Sequence, residues 1–398
     1  MDFERVRRFA EIRREYGSGY INLNPIQRGG ILSEAARRAL LEFGDGYSVC
    51  DFCPPEEARL DAIRRPPIRE FMERLAEFLG MDVARVTTRC RESKFIAFRM
   101  LAKPGEYVVV DSLAHYSTYL AAELAMLRVK EVAHQGPPEY RISPEAYLQR
   151  IEEVERETGK PPAVALLTHV DPHHGNLVDP KPIAKICHEH GVPLILNAAY
   201  TAGVMPVDGR SLDVDILAGS GHKSWAASAP TGILALRGEL AERILARSAI
   251  KGEWSGRSFP KKELALLGCT VMGAPLATLM ASFPHVVERV KGWEAEVEKA
   301  RYLASQLERI EGTRILGVKP KMHTLLHVES EGFYRVSKTH KRRGFFLYEE
   351  LRQRGIVGVQ PGLTRHFKLN TYGLTWEEVK RVAEAFQEIA RKYGLSVH

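Results

Sequence analysis

The chain has 398 residues, of which 44% are hydrophobic and 27% charged, which is the composition of a globular protein rather than a disordered or fibrous one. No stretch approaches the length of a membrane span, and Met1 to Arg5 lack the apolar core of a signal peptide. We therefore expect a cytoplasmic protein without a membrane partner. The formal net charge of +7 is compatible with a polyanionic partner but does not require one.

The N-terminal part of the chain combines loops with two predicted helices. Residues 1–30 are polar and turn-rich, and a first helix is predicted over residues 33–43 with Ser33 as its N-cap. Residues 45–55 have the composition of a loop, and residues 68–79 have the apolar spacing of an amphipathic helix.

From about residue 83 the chain alternates between strands and helices. Short unbroken apolar runs, typical of strands buried on both faces, lie at residues 107–110, 163–167, 193–196, 215–218 and 232–236. Helical stretches such as residues 144–158 and 182–190 separate several of them. The pattern predicts a mostly parallel sheet with helices on both faces, within a large domain of residues 1–275.

Near residue 275 the pattern changes to a long helical region, residues 277–310. Short strands are predicted at residues 324–328, 357–360 and 366–369, and a closing helix at residues 376–393. We interpret residues 276–398 as a smaller C-terminal α/β domain.

The central motif is Ser220-Gly221-His222-Lys223, which follows the predicted strand at residues 215–218. A tight turn there would present Lys223 in an open site, at the edge of the sheet where active groups gather. Such a lysine can form a Schiff base with an aldehyde cofactor such as pyridoxal 5'-phosphate (PLP). Taken alone, Lys223 would more often be an ordinary surface lysine.

The sequence upstream supplies the other parts of a PLP site. Residues 87–92 turn from a strand into a helix, whose amides can hold a phosphate with help from Arg91. His115 follows a strand and suits a ring stacked on the cofactor, and Asn197 follows another and suits the pyridine nitrogen. Singly, His115 could be a turn histidine and Asn197 a strand-end cap. Together they favour a fold-type-I PLP-dependent transferase, with the aspartate aminotransferase-like fold.

Asn197 stands where most fold-type-I enzymes carry an aspartate. A carboxylate keeps the pyridine nitrogen protonated, whereas a neutral amide leaves the cofactor a weaker electron sink. That chemistry suits elimination of a good leaving group.

The five cysteines do not form a disulfide framework. Cys50 and Cys53 form a Cys-x-x-Cys pair in a Pro-rich loop, and Cys269 follows much later. Without a second pair they do not make a structural zinc site. They can carry sulfur as a persulfide, hold an iron–sulfur cluster with one open position, or be unrelated. Cys187 lies on a helical pattern and is expected in the core, and Cys90 is expected to be packed rather than reactive.

Several blocks together resemble one archaeal family of PLP enzymes, O-phosphoseryl-tRNA:cysteinyl-tRNA synthase. They are the segments 46–53 (with Cys50-Asp51-Phe52-Cys53), 220–224, 267–270, 281–285 and 361–365. The similarity runs from about Ile21 to the final helix. The combination of the Cys-x-x-Cys block with the Ser-Gly-His-Lys block is highly specific.

The resemblance implies PLP-dependent β-elimination of phosphate from phosphoseryl-tRNA(Cys) and addition of sulfur, giving cysteinyl-tRNA(Cys). It implies that Lys223 is the Schiff-base lysine and the general base, and that Cys50, Cys53 and Cys269 handle the sulfur. The residues that it places around PLP or the leaving phosphate are Cys90, Arg91, His115, Asn197, Ser220, Gly221 and His222. Thr88-Arg89-Cys90 departs from the family, in which smaller residues such as Asn-Gly-Ala are usual.

The resemblance also implies a homodimer and, by family analogy, a complex with phosphoseryl-tRNA synthetase. Basic segments at residues 338–343, 64–65 and 261–262 are candidate tRNA contacts or solvated loops. Arg365 occupies the position that clamps a free carboxylate in many fold-type-I enzymes.

Two alternative functions remain open at this point. A cysteine desulfurase, or another PLP lyase acting on a free amino acid, would share Lys223 but need only one mobile-loop cysteine. A non-enzymatic tRNA-binding scaffold would not need Lys223 and the three thiols.

Overall fold

A computed structural model describes residues 6–16, 19–26, 28–45, 48–49, 63, 66–245, 249–258 and 271–398. These residues form two compact units. The larger unit comprises Ile26–Glu298 and Leu316–Leu325, and the smaller comprises residues up to Pro25 with Lys299–Ile315 and Leu326–His398. In this division residues 276–298, which the sequence pattern assigned to the smaller domain, belong to the larger unit.

The strands are β1 (Ile21–Asn22), β2 (Ser48–Val49), β3 (Val83–Thr87), β4 (Tyr107–Asp111), β5 (Arg128–Val132), β6 (Val164–Thr168), β7 (Leu194–Asn197), β8 (Ile216–Ser220), β9 (Gly232–Leu236), β10 (Val271–Met272), β11 (Thr313–Leu316), β12 (Leu325–Ser330), β13 (Ile356–Val357) and β14 (His366–Asn370). The helices are α1 (Glu34–Glu42), α2 (Ile68–Phe78), α3 (Cys90–Leu101), α4 (Tyr116–Leu124), α5 (Pro144–Thr158), α6 (Lys181–Glu189), α7 (Gly221–Ser224), α8 (Gly238–Ile244), α9 (Gly273–Arg289), α10 (Trp293–Glu308), α11 (Glu331–Thr339), α12 (Phe345–Gln353) and α13 (Trp376–Lys392).

The larger unit contains a seven-stranded sheet in the order β3-β9-β8-β7-β6-β4-β5. The neighbours from β8 to β5 are parallel, and β9 pairs antiparallel with both β8 and β3. The register places Asn197 beside Thr168 on one side and Ala218 on the other. The mostly parallel sheet is confirmed, and the parallel strands bring their carboxyl ends to one edge.

Both faces of this sheet are covered. Val108 and Val110 belong to an apolar cluster that includes Ile96 and Phe98 of α3. Val109, which points to the opposite face, is equally buried and lies outside that cluster. A strand buried on both sides has no polar alternation, which explains the unbroken apolar runs in the sequence. Helices on both faces are therefore confirmed.

The predicted elements are present with shifts of a few residues at their ends. Helix α5 has the predicted bounds, and α1 begins after Ser33, whose hydroxyl accepts from Ala36 N. The region expected as one long helix is divided into α9 and α10 by a 3-10 turn at Val290–Gly292. Edge strand β5 was not predicted because its charged residues hide the strand pattern.

The smaller unit has its own core and a three-stranded sheet in the order β11-β12-β14. Helix α10 contributes Leu303 and Leu307 to the core, and α13 contributes Phe386. A capping box between Thr375 and Glu378 starts α13. In the part of the chain that the structure describes, every helix is too short or too polar to cross a lipid bilayer.

Candidate active site

Lys223 lies in the short helix α7, which begins directly after β8. The backbone of this turn is packed against Gly29 and Gly30. A Cβ atom at Gly30 would lie 2.0 Å from the carbonyl oxygen of His222, and one at Gly29 would lie 2.7 Å from that of Lys223. The glycine pair is therefore required for close backbone approach. It holds the turn in place while the Lys223 side chain lines a cavity and its Nζ lies 4.9 Å from the ring centroid of Tyr200.

The cavity has a volume of about 170 Å³ and lies at the carboxyl-end edge of the sheet. Its basic and imidazole side chains are Arg89, Arg91, Lys94, His115, His222 and Lys223. Its uncharged polar side chains are Cys90, Tyr116, Ser117, Thr168, Asn197, Tyr200 and Ser220. Among the described residues that line it, none carries a carboxylate. The cavity is therefore suited to an anionic ligand.

One wall is the start of α3, a helix of 12 residues. The amides of its first turn are directed out of the helix, as at any helix N-terminus, and they favour an anion. Glu92 accepts hydrogen bonds from Thr88 N at 2.5 Å and from Thr88 Oγ1 at 2.9 Å, and so fixes the preceding loop. Arg91 is half-buried and lines the cavity beside this turn.

Asn197 and Cys90 meet at the buried end of the cavity. Asn197 Oδ1 lies 3.4 Å from Ala199 N, which can only donate, and 3.5 Å from Cys90 Sγ. The amide oxygen thus accepts from the Ala199 backbone, which leaves the amide nitrogen as the group available to a ligand. Burial raises the pKa of the Cys90 thiol, so this cysteine is packed rather than activated.

His115 is the N-cap of α4, and its Nδ1 accepts from Ser117 N at 3.3 Å. The ring centroids of His115 and Tyr116 are 4.3 Å apart. His222 also lines the cavity, and its Nδ1 is 3.1 Å from the carbonyl oxygen of Thr231. Partial burial lowers the pKa of the His222 imidazole and favours its neutral form.

Comparison with known proteins decides the family. A family model described as O-phosphoseryl-tRNA(Sec) selenium transferase matches residues 87–391. O-phospho-L-seryl-tRNA:Cys-tRNA synthase 2 of Archaeoglobus fulgidus is 58% identical over 380 residues, which are 95% of this chain and 96% of that protein. The chain belongs to the O-phospho-L-seryl-tRNA:Cys-tRNA synthase family. The resemblance inferred from the sequence motifs is confirmed.

Solved structures agree with this membership. A SepCysS–SepCysE N-terminal domain complex contains a chain that is 46% identical and covers 98% of this chain and 99% of its own length, with a TM-score of 0.88. A cysteine desulfurase from Thermococcus onnurineus shares 17% identity over 94% of this chain and 95% of its own, with a TM-score of 0.74. At that identity the second match shows the fold alone. The fold-type-I architecture is confirmed.

In this family member, the structure gathers most of the predicted site residues around one cavity. These residues are Cys90, Arg91, His115, Asn197, Ser220, His222 and Lys223. Gly221 lies behind the cavity instead, since a Cβ there would approach Thr231 and Leu279. Cys187 is fully buried, so the prediction that it belongs to the core is confirmed.

The cavity is also lined by side chains that were not predicted from the sequence, among them Arg89, Lys94, Tyr116, Ser117, Thr168 and Tyr200. For Lys94 a signal was present. It shares one helical stripe with Cys90, Ala97 and Leu101, all of which are buried. A lysine inside an apolar stripe either has a specific partner or faces a site, and this one lines the cavity.

Cys50, Cys53 and Cys269 lie outside the described residues, as do the basic pairs at residues 64–65 and 261–262. In the described ranges, no group of three or more His, Cys, Asp or Glu side chains is placed to hold a metal ion. The choice between a persulfide and an iron–sulfur cluster stays a prediction.

The lining residues fit PLP by their chemistry. Lys223 is an amine for the aldehyde, Asn197 can donate to a ring nitrogen, and the α3 N-terminus with Arg91 can hold a phosphate.

Arg365 is ion-paired with Glu331, with 3.2 Å between the two side chains, and lies over the ring of Tyr334. In the basic run at residues 338–343, Arg342 binds the carboxylate of Glu349 at 2.8 and 3.0 Å.

Proposed function

We propose that this protein is a cytoplasmic PLP enzyme that converts O-phosphoseryl-tRNA(Cys) into cysteinyl-tRNA(Cys). The observation that carries the proposal is the cavity, which combines Lys223 with basic side chains and lacks carboxylates among its described lining residues. Membership of the O-phospho-L-seryl-tRNA:Cys-tRNA synthase family supports the same substrate class.

Lys223 is the proton-transfer group of the proposed reaction. PLP, when bound, supplies an electron sink for the substrate α-carbon. Lys223 Nζ removes the α-proton, the Cβ–O bond breaks, and its electron pair leaves with the phosphate. The sulfur of a sulfide equivalent then forms a bond to Cβ, and Lys223 returns a proton to the α-carbon. Phosphate is lost and sulfide is gained, so with sulfide as the donor no external oxidant or reductant is needed. A cysteine persulfide would first form a disulfide with Cβ. A second cysteine thiol would then release the product, and the resulting enzyme disulfide would need an external thiol reductant before the next turnover.

The other basic groups stabilise anions. Two phosphates must be accommodated, that of the cofactor and that of the substrate. The α3 N-terminus with Arg91 serves the first, and Arg89, His115 and His222 are available to the second. The substrate carboxyl group is esterified to tRNA, so the cavity needs no arginine to bind a free carboxylate.

The sulfur-handling groups and the partners are also part of the proposal. Cys50, Cys53 and Cys269 are the candidate persulfide or iron–sulfur thiols. A homodimer and a complex with phosphoseryl-tRNA synthetase are expected from the family resemblance. The solved SepCysS–SepCysE complex supports a further protein partner of the SepCysE kind.

The test follows the amino acid on the tRNA. Protein prepared without oxygen and loaded with PLP receives phosphoseryl-tRNA(Cys) and sulfide, and released phosphate and the acylated residue are measured together. We expect cysteine on the tRNA in step with phosphate release, and loss of both in Lys223→Ala. We also expect weaker conversion in Cys50→Ser, Cys53→Ser and Cys269→Ser.

The cysteine desulfurase alternative is tested in the same assay with free cysteine and free phosphoserine. Release of alanine and sulfur from free cysteine, with phosphoseryl-tRNA left intact, would overturn the proposal. It would make this protein a desulfurase.

A further inference from the structure

Lys94 is a buried cation that the reaction above does not use. Its side chain is 1% exposed, and it rises from the inner face of α3 to the wall of the cavity. Nζ donates to Ser117 Oγ at 3.0 Å and to Thr118 Oγ1 at 2.8 Å, both in the first turn of α4. These partners connect Lys94 to the residue that caps α4, which is His115.

The connection passes through the Ser117 hydroxyl. Ser117 Oγ lies 2.9 Å from His115 Nδ1. An ammonium group has only protons to donate, so the Ser117 oxygen accepts from Lys94. Its own single proton is then available for His115 Nδ1.

A second hydrogen-bond donor is directed at His115 Nδ1. Ser117 N lies 3.3 Å from His115 Nδ1, and a backbone N–H can only donate. With two donors directed at Nδ1, that nitrogen must carry its lone pair. The proton of the neutral imidazole is therefore on Nε2.

The charges around His115 favour this neutral form. Arg89, Arg91 and Lys223 line the same cavity, together with the imidazole of His222. From α3 the ammonium of Lys94 is one hydroxyl away. The buried carboxylate of Asp111, at the end of β4, acts in the opposite direction. Burial lowers the pKa of Lys94 to about 8, which leaves it mostly charged at neutral pH.

We propose that Lys94 is a positioning residue that acts through Ser117 and holds His115 as the neutral imidazole with its proton on Nε2. The consequence rests on the proposed function. A fixed Nε2–H is a hydrogen-bond donor for an anion in the cavity, and a neutral ring does not take up the proton that Lys223 must handle.

The test measures the His115 ring directly. Full-length protein with PLP bound and ¹⁵N-labelled histidine is examined by two-bond ¹H–¹⁵N correlation spectra between pH 5 and 9, and His115→Gln identifies the signal. We expect the Nε2–H form in the wild type. In Lys94→Met and Ser117→Ala we expect a mixture with the Nδ1–H form, and a second proton taken up at a pH about one unit higher.

Three variants serve as controls. Thr118→Val removes the other Lys94 contact, and Lys321→Met removes a buried lysine elsewhere in the same unit. Both should retain the wild-type His115 spectrum, and Ser117→Thr should preserve it by keeping the hydroxyl. If Lys94→Met does not fold, the contrast between Ser117→Ala and Thr118→Val decides.

Two outcomes would overturn the proposal. One is a wild-type ring protonated on Nδ1, and the other is a Ser117→Ala spectrum identical to that of the wild type. The cofactor-free full chain is recorded in parallel. If the Nε2–H form of His115 is unchanged in this cofactor-free protein, and the protein loaded with PLP makes no cysteinyl-tRNA, the proposed function fails and this inference stands.

Discussion

Two cavities with opposite charge lie on either side of Thr168. The cofactor cavity is lined by Arg89, Arg91, Lys94 and Lys223. The second cavity, of about 410 Å³, carries the carboxylates of Asp111, Glu145, Asp171 and Asp179 and the guanidinium of Arg141. Thr168 lines both. Two cavities that share one strand-end residue therefore differ in charge: the first favours anions and the second does not.

Two buried lysines show why burial alone does not identify a functional group. Burial lowers the pKa of both Lys94 and Lys321 to about 8. Lys321 Nζ donates to the backbone carbonyl oxygens of His174 at 2.7 Å and Leu316 at 3.4 Å, and so fixes a turn. Lys94 instead donates to the hydroxyls of Ser117 and Thr118, of which Ser117 lines the cavity. The hydrogen-bond partners of a buried lysine, rather than its depth of burial, therefore distinguish a site residue from a structural one.

Lys223→Ala should have the largest effect, because it removes the proposed covalent and proton-transfer group from the cationic cavity. We expect formation of cysteinyl-tRNA to fall by about 10³-fold or more, in line with loss of a general base and nucleophile. Single-turnover assays with phosphoseryl-tRNA would measure it, and gel filtration would confirm the fold. Activity within tenfold of the wild type would show that the chemistry lies elsewhere.

Arg91→Gln and Arg141→Gln compare the two cavities with the same substitution. Arg91 lines the cationic cavity, so its loss should lower kcat/KM by about 100-fold through weaker anion stabilisation. Arg141 lines the acidic cavity and pairs with Glu139 at the surface, so its loss should change kcat/KM by less than about twofold. Equal effects of the two substitutions would contradict the separation of charge. Measuring the Kd for PLP as well would show which phosphate Arg91 serves.

The sheet and its site edge could be predicted from the sequence because strands buried on both faces leave unbroken apolar runs. Residues 107–110 and 232–236 are examples. The residues after the runs predicted to be parallel, such as His115 after residues 107–110 and Asn197 after residues 193–196, then had to meet at one edge. Strand β5 could not be found, since an edge strand with Arg128, Lys130 and Glu131 has no apolar run.

Other cavity residues could not be predicted, because their place in the cavity depends on distances in the folded structure that the sequence pattern does not give. Tyr200 follows the strand that ends at Asn197, but only the structure shows its ring beside Lys223. Lys94 was not singled out from the sequence, although its position on an apolar helical stripe was visible there. Gly221 was expected in the cavity as part of a contiguous motif, yet α7 turns it toward Thr231. A short helix distributes adjacent residues over different sides, which a motif does not encode.

Asp111→Asn tests how a buried carboxylate of the acidic cavity affects the stability of the protein. Asp111 binds Thr168, which lines both cavities. Asp111 is 1% exposed, and Oδ2 accepts from Thr168 N at 2.7 Å while Oδ1 has no hydrogen-bond partner among the described residues. Burial raises its pKa to about 6 from 3.8, so the folded protein binds more protons than the unfolded chain between these values. The contribution of Asp111 to stability therefore falls as the pH rises from about 4 to 6.

An asparagine keeps the acceptor for Thr168 N and removes the buried charge. At pH 7 we expect Asp111→Asn to be more stable by on the order of 2 kcal/mol, and we expect the gain to vanish below about pH 4. Urea unfolding at several pH values would measure the difference. The same gain at pH 4 and pH 7 would show that the carboxylate is not the cause.

Asn197→Asp should have a smaller effect on activity than loss of Lys223 or Arg91, because it alters the charge at the buried end of the cationic cavity without removing a group. Ala199 N can still donate to the new side chain, so the geometry should persist. A carboxylate there would favour a protonated ring nitrogen and a stronger electron sink, which does not suit elimination. We expect cysteinyl-tRNA formation to fall by about tenfold, corresponding to roughly one pKa unit, and the absorbance of bound PLP to change its pH dependence. If the absorbance titration is unchanged, Asn197 does not contact the ring nitrogen, and its role is that of a strand-end cap.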